Sequence, residues 1–257
     1  MSRPAESLRV MLLAVLAVVL AAPAANAGAI NKALSREMAA RIAARETMSV
    51  AEREALARVL RDLDGRTLRI LEARFGGYIP REALAAAERN PVTFLDDAAF
   101  KDWLQKASPQ MTREEIERTL GATNTLTRSA TVDQNHVLLA RSVAHERLHQ
   151  LSNPALGLRM GRDLDEGLTD YFAARVTSDL HIPSVAVGYP PQRELAGMLA
   201  ARIGEGPLAQ AYFRGDLQTL ARALDRELGP GSSAALQAHL RRQDLSGARA
   251  VLLGARP

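Results

Sequence analysis

His145-Glu146-Arg147-Leu148-His149 is the stretch of this chain whose residue types and spacing could do chemistry. On a helix, residues four apart lie about one turn apart on one face, so the two imidazoles can converge on a single cation. Zinc is the cation expected there. Glu146 stands about 100° further round the helix than His145, beside the cation, where it can take a proton from an activated water. Catalytic zinc usually holds three side chains and keeps a fourth position open, so one protein ligand is still missing. The run Leu164-Asp165-Glu166-Gly167-Leu168-Thr169-Asp170-Tyr171-Phe172 supplies a carboxylate within an apolar helical pattern. A link through Pro154 and Gly157 gives the chain room to reverse and present Glu166 to the cation. Asp170, one turn further on, shares that face and could accept the free ring N–H of a ligand His. Of the other histidines, His136 precedes the motif near the start of the same expected helix, and His181 and His239 follow it.

The pair HERLH and DEGLTDYFA resembles the gluzincin metallopeptidases, the thermolysin-like and aminopeptidase-like group. In these, one helix carries HExxH and a second carries a glutamate ligand followed four residues later by an aspartate. The resemblance covers residues 142 to 174. It implies that His145, His149 and Glu166 ligate zinc, that Glu146 is the general base, and that Asp170 orients a ligand His. The implied reaction is hydrolysis of a peptide or protein substrate, with the oxyanion shared by a Tyr or His donor outside the two helices. His181 and Tyr189, in a Pro-bounded segment ending at Pro191, are the candidates for that donor. A metzincin is excluded, because Ala155 stands where HExxHxxGxxH needs its third His. A zinc deaminase needs a Pro-Cys-x-x-Cys element, and the chain has no cysteine. The alternative to an enzyme is a non-enzymatic envelope interaction protein that retains zinc in a closed structural site. Glu146, which is not a ligand, argues for catalysis.

The elements that must position these residues are mostly helical. Val137, Leu138, Leu139, Val143, Ala144 and Leu148 form an apolar stripe, with no Pro or Gly between Thr131 and Asn153, which predicts a buried metal helix. Helices are also expected over Ile30 to Arg61, Arg66 to Phe75, Arg81 to Arg89, Ala98 to Lys106 and Arg113 to Leu120. Thr112 and Glu115 make a capping box for the last of these. Beyond the site, helical patterns run over Gln192 to Ile203, Leu208 to Leu228 and Ser233 to Leu253. The Thr-rich run from Ala122 to Val132 is the best strand candidate. By the resemblance, such a strand lines the cleft and pairs with an extended substrate. The expected fold is mainly α with a small β element: a zincin-like core over 122–190, holding the HExxH helix and the Glu-ligand helix, between helical regions 28–121 and 191–257.

Arg3 and Arg9, the apolar run Val10 to Ala22, and Ala25-Asn26-Ala27 make a secretory signal over residues 1–27, with cleavage expected before Gly28. The apolar run is shorter than the roughly 20 residues needed to span a bilayer. A periplasmic or secreted bacterial protein with no membrane span after cleavage is expected, and without cysteine it rests on packing alone. The net charge is only +4, and removing Arg3, Arg9 and Glu6 brings it to +3. Arg alternates with Asp and Glu along helix faces, which reads as a solvated, ion-paired surface and not as a nucleic-acid interface. Oligomeric state leaves no mark in the sequence.

Overall fold

The computed structural model describes residues 50–124, 127–135, 138–180 and 189–254, and among them the chain is mainly helical with one small sheet. The signal segment and the start of the first expected helix lie outside the described residues. Helix α1 (Val50–Phe75) is continuous for 26 residues, where the sequence reading separates two helices between Arg61 and Arg66. Gly65 lowers helix propensity there by about 1 kcal/mol. The buried Leu60, Asp64, Thr67 and Leu71 on one face carry the helix across it.

Helix α2 (Arg81–Arg89), strand β1 (Thr93–Leu95), helix α3 (Asp97–Ala107) and helix α4 (Arg113–Arg118) follow. The expected capping box is present: the Thr112 hydroxyl accepts from the Glu115 amide, and the Glu115 carboxylate accepts from the Thr112 amide. β1 escaped the sequence reading because three residues are too few to show an alternation.

The Thr-rich run is a hairpin and not one strand: β2 (Gly121–Asn124) and β3 (Ser129–Asp133) pair antiparallel from Gly121↔Val132 to Asn124↔Ser129. Asn124 ends β2 by accepting the Thr127 amide with its side chain, and Arg128 takes a left-handed φ of 52°. The sheet order is β1-β3-β2, with β1 parallel to β3. After β3 and a turn at Gln134 and Asn135, the helix that carries the motif is α5 (Leu139–Leu151), and it takes in Leu139, Val143, Ala144 and Leu148 of the stripe. His136 lies outside the described residues.

The link contains a short helix, α6 (Ala155–Met160), and leads into α7 (Arg162–Asp179). Then come α8 (Pro190–Ile203), α9 (Glu205–Arg214), α10 (Leu217–Leu228), α11 (Ser232–Arg241) and α12 (Leu245–Leu252). Two expected C-terminal helices are thus four. One breaks at Gly215, with φ of 70°, and the other at Gln243, with φ of 58°. Asp216 and Asp244 then cap the following helices with their side chains, bonding the amides of Thr219 and Gly247.

α5 is buried on two sides. Ala144, Leu148 and Leu151 join Leu164, Leu168, Phe172 and Val176, spaced four apart on α7, in the main core. There Phe172 meets Phe75, Tyr212 and Phe213 at ring-centroid distances of 4.9, 5.4 and 5.9 Å. Leu139 and Val143 instead pack with Ala130 and Val132 of β3 and Leu60 of α1. α7 and α8 meet at Gly167, where a Cβ would lie 2.4 Å from the Gln192 carbonyl oxygen. Ion pairs four residues apart, such as Lys106–Asp102 and Arg118–Glu114, occupy exposed faces as expected. Among the described residues no helix is long and apolar enough to cross a membrane.

Candidate metal centre

Arg147 sets the rotation of α5. It lies 200° round the helix from His145, hence roughly opposite the histidine face, and its side chain is 2 % exposed. Its Nε and Nη2 donate to the two carboxylate oxygens of Asp64 on α1, each at 2.6 Å. Its Nη1 donates to the Ala87 carbonyl at 2.7 Å and to Gln150 Oε1 at 2.8 Å. Bidentate guanidinium–carboxylate pairing is directional, so α5 is held in one orientation against α1 and α2.

On the other face three donor atoms converge. His145 Nε2 and His149 Nε2 are 3.2 Å apart, and Glu166 Oε2 lies 3.2 Å from the first and 3.3 Å from the second. Pairs of tetrahedral ligands held at about 2.0–2.1 Å from a zinc ion stand about 3.3–3.4 Å apart, so the triangle fits that cation.

The side chains behind the triangle fix its members. Asp170, 2 % exposed, places Oδ1 3.3 Å from His145 Nδ1. Its carboxylate is held in turn by Arg141 at 3.0 Å and by the Tyr189 backbone amide at 2.9 Å. Asp165 Oδ2 is 3.9 Å from His149 Nδ1, outside hydrogen-bond range. Arg162, one turn before Glu166, pairs with its second oxygen, Oε1, at 3.3 Å. The Tyr189 ring stacks beside His145 with centroids 6.2 Å apart, and its hydroxyl faces Arg162.

Electrostatics follow from this crowding. Burial disfavours a charged His145, yet the carboxylates of Asp170 and Glu166, one at each ring nitrogen, outweigh it and raise its pKa to about 10. Burial pushes Glu166 up, but the two imidazoles pull it well below the ordinary carboxylate range. Asp170 is lowered against the same burial effect by His145, the Tyr189 amide and Arg141. Burial and the nearby Glu166 charge push the Tyr189 hydroxyl up to about 12, so it is a donor at neutral pH. Without a cation, the centre holds a proton on His145 between two carboxylates.

Glu146 is 4 % exposed and does not belong to the triangle. Its Oε2 accepts from Thr123 Oγ1 at 2.7 Å.

Comparison with family models, with curated proteins and with solved structures gives no match.

The residues singled out in sequence are brought together with one exception: His145, His149, Glu166, Asp170 and Tyr189 share one site, with Glu146 beside it, while His181 lies outside the described residues. Sequence reasoning missed Arg141, Arg162 and Thr123. Arg141 and Arg162 stand four residues before His145 and Glu166, a spacing that could have marked both as neighbours on the ligand faces. Nothing in the sequence marks Thr123, whose place depends on the hairpin register.

Proposed function

We propose that this protein is a zinc-dependent metallopeptidase of gluzincin type, with His145, His149 and Glu166 as ligands and Glu146 as general base. The observation that carries the reading is the near-equilateral triangle of two imidazoles and a carboxylate, with a further carboxylate outside it, one residue from its first member. Zinc held there would supply a Lewis acid that acidifies water and polarises a scissile carbonyl. Glu146 accepts the proton of the attacking water and later delivers it to the leaving amine. Asp170 accepts the Nδ1–H of His145, which keeps that proton on Nδ1 and leaves Nε2 free to ligate. Tyr189 offers its hydroxyl to the oxyanion of the tetrahedral intermediate. The export signal read over residues 1–27 would put this chemistry in the periplasm or outside the cell.

The test is Glu146→Gln, with peptide-library cleavage measured with and without a chelator. The variant keeps its zinc and its fold and loses hydrolysis by roughly 100-fold or more, since an amide cannot accept the proton. Activity near that of the unaltered protein would remove Glu146 from the mechanism. Full zinc occupancy with no cleavage by the unaltered protein would point to a structural site.

A further inference from the structure

We propose that Gly121 and Thr123 of β2 are positioning residues, forming a cradle that holds the Glu146 carboxylate in its working orientation. The inference rests on the peptidase reading and deepens it, because a general base must neither ligate the cation nor drift from the water it deprotonates.

Residues two apart on a strand present side chains to the same face, so positions 121 and 123 can meet the same neighbour. That neighbour is Glu146, projecting from α5. At 123 the strand offers a hydroxyl: Thr123 Oγ1 donates to Glu146 Oε2 at 2.7 Å and lies 3.1 Å from the Glu146 main-chain oxygen. At 121 it offers bare backbone. A Cβ there would lie 2.6 Å from Glu146 Oε1, 2.7 Å from Cγ and 2.9 Å from Cδ, all closer than real Cβ contacts come. The carboxyl group thus lies where only a glycine leaves room, tied at one oxygen by the hydroxyl two residues on. The pairing of Gly121 with Val132 and Thr123 with Ala130 on the central strand fixes both positions.

The chemical consequence is a division of labour between the two oxygens. Oε2 is occupied by a neutral donor, which orients the group without placing a formal charge against it. Oε1, packed against the bare backbone at Gly121, is the oxygen assigned to take a proton from water. A general base must sit within hydrogen-bond reach of its proton, and a buried side chain keeps such a position only when a neighbouring group locks its rotamer. Thr123 supplies that lock, and the absent side chain at 121 supplies the space.

The experiment compares Thr123→Val, which keeps the shape and removes the donor, Thr123→Ser, which keeps the donor, and Gly121→Ala, which fills the space. Each is assayed for zinc content, for kcat and KM on a fluorogenic peptide chosen from the cleavage profile, and by crystallography for the Glu146 side chain. Thr123→Val and Gly121→Ala are expected to retain zinc and KM within about twofold, while kcat falls roughly 10- to 100-fold and Glu146 leaves β2. Thr123→Ser restores both rate and conformer. The proposal is overturned if Thr123→Val keeps kcat within about twofold, if the serine variant is as slow as the valine one, or if Glu146 stays in place without the hydroxyl. Should the unaltered protein cleave no peptide, the peptidase reading falls, and the Glu146 conformers of the three variants still decide whether the cradle exists.

Discussion

If zinc is held by the His145–His149–Glu166 triangle, as proposed, it enters by displacing a proton. His145 has a carboxylate oxygen at each ring nitrogen, 3.3 Å away at Nδ1 and 3.2 Å at Nε2, and its pKa in the metal-free protein is raised from 6.5 to about 10. A ligating imidazole must give up the proton at the ligating nitrogen, so binding is coupled to its release. Each pH unit below the folded pKa costs about 1.4 kcal/mol. Apparent zinc affinity should therefore rise roughly tenfold per unit, or about 100-fold between pH 6.5 and 8.5, from this proton alone. The same group affects metal-free stability with the opposite sign. A raised pKa contributes stability that is fully present below 6.5 and lost as pH rises through about 10. The melting temperatures of the zinc-loaded and metal-free forms should thus separate as pH rises. Titration calorimetry near pH 8 in two buffers of different ionisation enthalpy measures the coupling directly, and about one released proton is expected. Binding without proton release, together with an affinity flat across that range, would refute the doubly bonded His145.

Asp170→Asn keeps the size of the side chain behind His145 and removes its charge, so zinc affinity should fall by roughly 10- to 100-fold, less than for loss of a ligand; competition with a chromogenic chelator reads this, and unchanged affinity would take Asp170 out of the site's support. Asp64→Ala strips Arg147 of its bidentate partner and leaves a buried guanidinium with neutral acceptors only, a change that costs about 3–5 kcal/mol. Urea unfolding checks it, and a loss under about 1 kcal/mol would mean that water reaches the guanidinium once Asp64 is gone.

What the sequence made legible follows from the range of the forces involved. His145 with His149, and Glu166 with Asp170, are pairs one turn apart on single helices, so local geometry alone predicts each. Tyr189 could be named as a neighbour because it follows α7 closely, but its stacking on His145 and its amide bond to Asp170 are tertiary facts. The split of Leu208 to Leu228 was written in the sequence as Gly215 followed by the cap Asp216. The apolar period on both sides of that break makes the stretch look like one helix. The hairpin was misread for a different reason. Ala122 to Val132 is rich in Thr on both sides of the turn, which hides a reversal marked by the Asn124 side chain and a left-handed Arg128.

The long-range anchor explains why so small a sheet can serve this centre. α5 must present two imidazoles with an error of a few tenths of an ångström, yet it begins without a side-chain cap. Its orientation comes instead from two attachments on different faces. One is the Arg147–Asp64 pair to α1; the other is Glu146, bonded to Thr123 at the sheet edge. Glu146 and Arg147, the motif residues outside the triangle, therefore have structural partners as definite as those of His145 and His149. The sheet needs only two residues of one strand to meet its share, and β2, held in register by the central strand, is long enough to provide them. A larger sheet is not a physical requirement for holding this constellation, provided that α1 supplies the carboxylate which fixes the helix from behind.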